Sequence, residues 1–225
     1  MLRQPWFSRV FPFAIYILFI LIHDLLSKVL DPGPLATHLI ALTYPLRILA
    51  VTAALAWFWK TYDELTGERF KTRDLLYALT IGVLVFVLWI QMDWDFAVMG
   101  DRDAYNPRTL PGSWFYLFVS IRLFGAAVVV PLFEELFWRS FILRYIINPN
   151  FTAVKLGAFT WPSFLISAAL FGTEHNLWLA GIIAGLFYNL LLYKTRSLWM
   201  CILAHGVTNL LLGIYVLMTG QWAFW

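Results

Sequence analysis

Three short stretches of this sequence carry side chains able to do acid–base chemistry. The first holds Glu134, Glu135 and Arg139. On a helix Glu135 and Arg139 are four residues apart and share a face, the spacing of an ion pair. Glu134 points about 100° away, because each helical residue advances by that angle. One carboxylate is thereby anchored by a counter-charge and the other is aimed elsewhere, as a reactive base must be. The second stretch ends in Phe171 and His175, again four apart, with Glu174 directly before the histidine. The third holds His205 and Asn209. Stacked one turn apart, these two donors can both reach one oxygen atom, as an oxyanion hole requires. A carboxylate, a histidine and a His/Asn donor pair together supply a base, a partner for water and an electrophile. Two histidines and a glutamate are also a familiar zinc set. The His-Glu-x-x-His helix signature is absent, however, and spacing alone leaves the metal question open. The role of Glu174, beside His175 or facing an interface, also stays open.

The elements that must position these residues are membrane helices. Apolar residues make up 61% of the 225 and charged residues 13%, against about a quarter charged in a soluble domain. Apolar runs cover 10–30, 39–59, 75–90, 114–147, 161–175, 178–193 and 198–217. Most approach or exceed the roughly 20 residues that cross a bilayer. The expected fold is an all-α, polytopic membrane protein, a single domain over 1–225 with a motif-bearing core at 114–217. It has seven crossings, or eight if the run 114–147 is two elements, and Pro131 is expected to kink that run. A buried ionisable group at membrane depth costs about 2.5–3.5 kcal/mol on insertion scales, so each is a functional candidate by default. They concentrate in the C-terminal half.

The first run carries His23 and Asp24 and no small-residue cleavage site, so it reads as a helix rather than a secretory signal. Cys201 is the only cysteine, which excludes an intrachain disulfide and a cysteine metal knuckle. The net charge of +3 is spread over short loops, which argues against nucleic-acid binding. The loop 60–73 is basic and the loop 93–108 acidic, which predicts a cytoplasmic N-terminus and an external C-terminus. Counting straight spans then sets His175 nearer the external face than His205, so the helices must tilt or break, or a span boundary must lie elsewhere. His23 and Asp24 read as structural, Arg47 as snorkelling or paired, and Arg122 as a counter-ion for a glutamate. Gly181 and Gly185 form a Gly-x-x-x-Gly that lets helices approach closely.

Glu-Glu-x-x-x-Arg at 134–139, Phe-x-x-x-His at 171–175 and His-x-x-x-Asn at 205–209 resemble the three motifs of the CAAX protease and bacteriocin-processing family. That family includes the type II CAAX prenyl endopeptidases. The resemblance covers about 118–217. It implies that Glu134 and His175 activate a water and that His205 and Asn209 hold the oxyanion, with Glu135, Arg139 and Phe171 supporting the site. It also implies a metal-free mechanism with no cofactor. Residues 31–34, 44–47 and 219–222 resemble a bacterial subgroup found beside exosortase and PEP-CTERM sorting systems. The expected function is an intramembrane endopeptidase of the bacterial plasma membrane, acting on a membrane-associated protein or peptide. Its partners are that substrate and the lipid bilayer, with no nucleic acid and a functional link to exosortase sorting. The alternatives are a non-catalytic membrane partner that retains the fold, such as an immunity or scaffold protein, and a zinc-dependent protease. A proton-coupled transporter is weakened by the lack of inverted repeats.

Overall fold

A computed structural model describes residues 4–31, 33–66, 71–100 and 112–224. Among these, seven helices and no strand are found. They are α1 (Pro5–Val29), α2 (Pro34–Phe58), α3 (Thr72–Trp89), α4 (Trp114–Ile147), α5 (Trp161–Thr173), α6 (Trp178–Thr195) and α7 (Leu198–Thr219). All but α5 are long and apolar enough to cross a membrane, and the protein is an all-α, multi-pass membrane protein. Its surface and interior are inverted relative to a soluble domain. Leu21, Leu25, Leu49 and Trp57 are exposed on α1 and α2, whereas Glu134, Glu135, Arg139 and His205 are buried. Such a surface is matched to lipid, and polar groups must find partners inside.

The run 114–147 is one helix rather than two. It is locally underwound into π-helical turns at Gly125–Val129 and Leu136–Ile142, on either side of the turn that carries the two glutamates. Single π turns inside α-helices are frequent at functional sites. The first of them has a local cause, because Pro131 has no N–H to give to the preceding turn. The stranded Ala126 carbonyl is met instead by the Asn209 amide at 2.9 Å. Gly206 allows α7 to come this close, since a Cβ there would sit 2.6 Å from the Ala127 carbonyl oxygen.

Helix α5 is a correction to the expected seventh full crossing. Its 13 residues reach about 20 Å at 1.5 Å per residue, short of the roughly 30 Å hydrocarbon core. The chain turns back early, at 174–177, and this brings His175 level with the α4 and α7 motifs. Thr160 caps α5, its hydroxyl accepting from the Ser163 N–H. Helix α6 packs on α5 through the Gly-x-x-x-Gly, where a Cβ on Gly185 would lie 3.0 Å from Ala168 Cα. Two apolar clusters flank the polar site. Val51, Phe58, Phe133 and Leu136 join α2 to α4, and Ala78, Tyr188, Leu192 and Ala204 join α3, α6 and α7. His23 is held by Thr43 at 2.8 Å, a contact between α1 and α2. Half of the acidic loop and part of the basic loop fall at 101–111 and 67–70, outside the described residues.

Candidate active site

Glu134, His175, His205 and Asn209 come from α4, the α5–α6 turn and α7, and all four line one cavity of about 280 Å³. Glu135 does not line it. It lies behind, 0% exposed, and its Oε1 accepts from Arg139 at 3.1 Å and pairs with His205 Nδ1 at 2.9 Å. A carboxylate oxygen only accepts, so Nδ1 carries the proton and His205 Nε2 faces the cavity, 3.9 Å from Glu134 Oε2. Arg139, 1% exposed, is held by more than this charge. Its guanidinium lies 4.3 Å from the Phe171 ring centre and 5.2 Å from that of Tyr188, and it reaches the Gly185 carbonyl at 3.5 Å. Phe171 thus cushions the cation. Tyr188 also stacks on the His205 ring at 5.2 Å and donates its hydroxyl proton to Thr208 Oγ1. His205 is therefore fixed by a carboxylate at one edge and an aromatic face on one side.

Glu134 differs from its neighbour in having no such commitment. Each glutamate keeps a buried Oε2 without a hydrogen-bond partner, but only the Glu134 carboxylate borders the cavity. His175 is oriented by its own helix end. Nδ1 lies 2.8 Å from the Phe171 carbonyl, which only accepts, so Nε2 keeps its lone pair. The Trp89 ring meets the imidazole edge-on at 5.3 Å. Residues 94–99 hold this turn from α3, with Trp178 donating to the Phe96 carbonyl and Met99 N–H to that of Asn176. Asn209 gives one amide hydrogen to Ala126, and the amide carries a second.

Glu174, left open by the sequence, turns into the cavity, where Trp138 Nε1–H donates to it at 2.7 Å. Its carboxylate, that of Glu134 and a ring nitrogen of His175 all lie within 4.8 Å of one another. That is the grouping that could hold a divalent cation, whose ligand atoms sit about 2.0–2.2 Å from zinc. His205 is not among them, so the set is two carboxylates and one histidine rather than two histidines and one. The N-terminal half also reaches the cavity, through Tyr16, Tyr44 and Arg47. Arg47 neither snorkels nor pairs with a carboxylate of the described residues. It lies over the rings of Tyr16 (4.5 Å) and Tyr44 (4.7 Å). The counter-ion of Glu135 is Arg139, and Arg122 lies 5.4 Å from the Tyr44 ring. Trp138, Tyr188 and Tyr16 carry no motif spacing that could have singled them out, although Trp138 sits four residues after Glu134.

Residues 111–211 match a family model described as type II CAAX prenyl endopeptidase, Rce1-like. The match spans somewhat under half of the chain and takes in all three motifs, from the start of α4 into α7. It supports the CAAX protease family, and endopeptidase activity in general, for the segment that builds the site. No curated protein and no solved structure matches the chain.

Proposed function

We propose that the protein is an intramembrane endopeptidase that hydrolyses a peptide bond with a water activated by Glu134 and His175. The observation that carries this reading is the contrast between two adjacent glutamates. Glu135 lies behind the cavity with its Oε1 shared by Arg139 and His205, whereas the Glu134 carboxylate borders the cavity, with His205 Nε2 3.9 Å away. A water between Glu134 and His175 Nε2 gives its proton to the carboxylate as its oxygen attacks the carbonyl carbon. The carbonyl π electrons move to oxygen, and the oxyanion accepts from the second Asn209 amide hydrogen and from His205 Nε2–H. This donation uses the doubly protonated imidazole, whose Nδ1–H goes to Glu135 Oε1 and whose Nε2–H goes to the oxyanion. The proton on Glu134 then passes to the leaving nitrogen as the C–N bond breaks. Fixed donors in a site away from bulk water stabilise developing charge without reorganisation.

A divalent-metal peptidase is the second reading, favoured by the approach of Glu134, Glu174 and His175. The test uses purified protein in phosphatidylcholine vesicles with a membrane-anchored peptide. Glu134→Gln removes the base and should lower turnover by about 10²–10⁴-fold. Undiminished cleavage by that variant would end the reading. Activity that survives exhaustive chelation favours the glutamate mechanism, and recovery only with added Zn²⁺ favours the metal one. A non-catalytic partner role should instead survive loss of Glu134. The finer link to an exosortase sorting system rests on residues 31–34, 44–47 and 219–222, and exosortase genes beside this one would support it.

A further inference from the structure

Arg47 stands near the midpoint of α2, where the bilayer is driest. A guanidinium is charged at every relevant pH, and at such a depth it costs about 2.5–3.5 kcal/mol on insertion scales. Three other arginines, all buried, each meet a carboxylate. Arg139 meets Glu135, and Arg9 and Arg144 meet Glu64. Arg47 meets aromatic faces instead, and its Nε is buried without a hydrogen-bond partner. Cation–π contacts contribute about 0.5–2 kcal/mol, and so do not replace an anion. The side chain is positioned rather than adrift, because Tyr16 beneath it also packs on Phe133, 4.8 Å between ring centres, beside Glu134 in the chain. Arg47 lines the same cavity as Glu134, His175 and Asn209. The cavity therefore has acid–base groups from α4, α7 and the α5–α6 turn, and cations from Arg47 of α2 and Arg122 of α4.

We infer that Arg47 is a substrate-binding residue that pairs with a carboxylate of the bound peptide, either its chain terminus or an acidic side chain, set across the cavity from Glu134. The inference rests on the reading of the protein as a peptidase. A phospholipid phosphate is held at the interface, whereas Arg47 lies at mid-helix, so a carboxylate carried inward by an apolar peptide suits the depth. The subsite lies outside the segment matched to the protease family, and it would select substrates rather than perform chemistry. Binding, not turnover, is its readout.

The experiment uses the Glu134→Gln protein in phosphatidylcholine nanodiscs and a short apolar peptide bearing a dansyl group, excited by transfer from the tryptophans. The peptide is made with a free terminal carboxylate, as the carboxamide, and as the carboxamide with one internal Glu. We expect at least one carboxylate form to bind about tenfold or more tighter than the plain amide, as desolvated charge pairs do. Arg47→Gln should reduce the preference to under about twofold, and Arg47→Lys should keep part of it, since a lysine keeps the charge but not the fork. Preference for the terminal carboxylate or for the Glu form tells which source is read. Equal binding of all three peptides, no binding by any, or a preference that survives Arg47→Gln overturns the inference. So does its abolition when phosphatidylglycerol replaces phosphatidylcholine, which would assign the arginine to a lipid headgroup. Because no cleavage is measured, failure of the peptidase reading would leave this result distinct.

Discussion

Glu134→Gln and Glu135→Gln are the same chemical change at adjacent positions, and they should fail in opposite ways. Glu135 Oε1 lies 3.1 Å from Arg139 and 2.9 Å from His205 Nδ1, with no solvent exposure. At an effective dielectric constant near 20, one unit pair at that distance is worth about 5 kcal/mol. Breaking a buried pair by removing one partner typically costs about 3–5 kcal/mol, because the survivor is left as an uncompensated charge. The aromatic faces of Phe171 and Tyr188 remain and soften the loss. Glu134 has no such partner, and it stands close to a second carboxylate, Glu174. Replacing it by glutamine breaks no close ion pair. Glu135→Gln should therefore lower the melting temperature by roughly 6–20 °C, at about 2–4 °C per kcal/mol for a chain of this size. Glu134→Gln should leave it unchanged or slightly raised while removing activity. The protein supplies its own probe, since Cys201 is its single cysteine and fully buried. A maleimide dye that fluoresces on reaction reports unfolding in detergent directly. Equal loss of stability in the two variants, or none in Glu135→Gln, would refute the division of labour between these carboxylates.

Asn209→Ala removes an oxyanion donor and should lower kcat by about 10²–10³ while leaving KM nearly unchanged, as steady-state kinetics on the membrane-anchored peptide will show. Stability should also depend on pH through Glu64. Burial pushes its carboxyl up, but hydrogen bonding and charge from Arg9, with the Ser140 hydroxyl, outweigh this and hold it below the ordinary 4.5. A depressed folded-state value contributes stability that is complete above pH 4.5 and is lost as the pH falls through the lower value. The melting temperature of Glu64→Gln should therefore lie below that of the native protein at pH 7 and converge with it under strong acid. For orientation, a cysteine at the exposed Asp63 in a Cys201→Ala background should react with an impermeant maleimide only after cells are opened; labelling of intact cells would reverse the topology.

The sequence by itself determined the fold class and the residues worth watching. Long apolar runs leave a chain no option but to satisfy its backbone in helices within lipid, so α1 to α4, α6 and α7 were legible from length and composition. The i, i+4 spacing of Glu135 and Arg139 likewise announced their ion pair, because helix geometry fixes which side chains meet within one element. Contacts between elements carry no such period. Nothing in the spacing of 174 and 138 says that a tryptophan on α4 will draw Glu174 into the cavity. Nor does anything bring Arg47 of α2 within reach of the glutamates' cavity, since that depends on how α1 and α2 lean on α4. The turn at 174–177 was misjudged for a related reason. An apolar run of 15 residues reads as a crossing, whereas its helix ends at Thr173 and the chain reverses at 174–177. The π turns around Glu134 were equally invisible. The first follows from Pro131 and from a close α7 neighbour that meets the freed carbonyl, and only tertiary packing provides that neighbour.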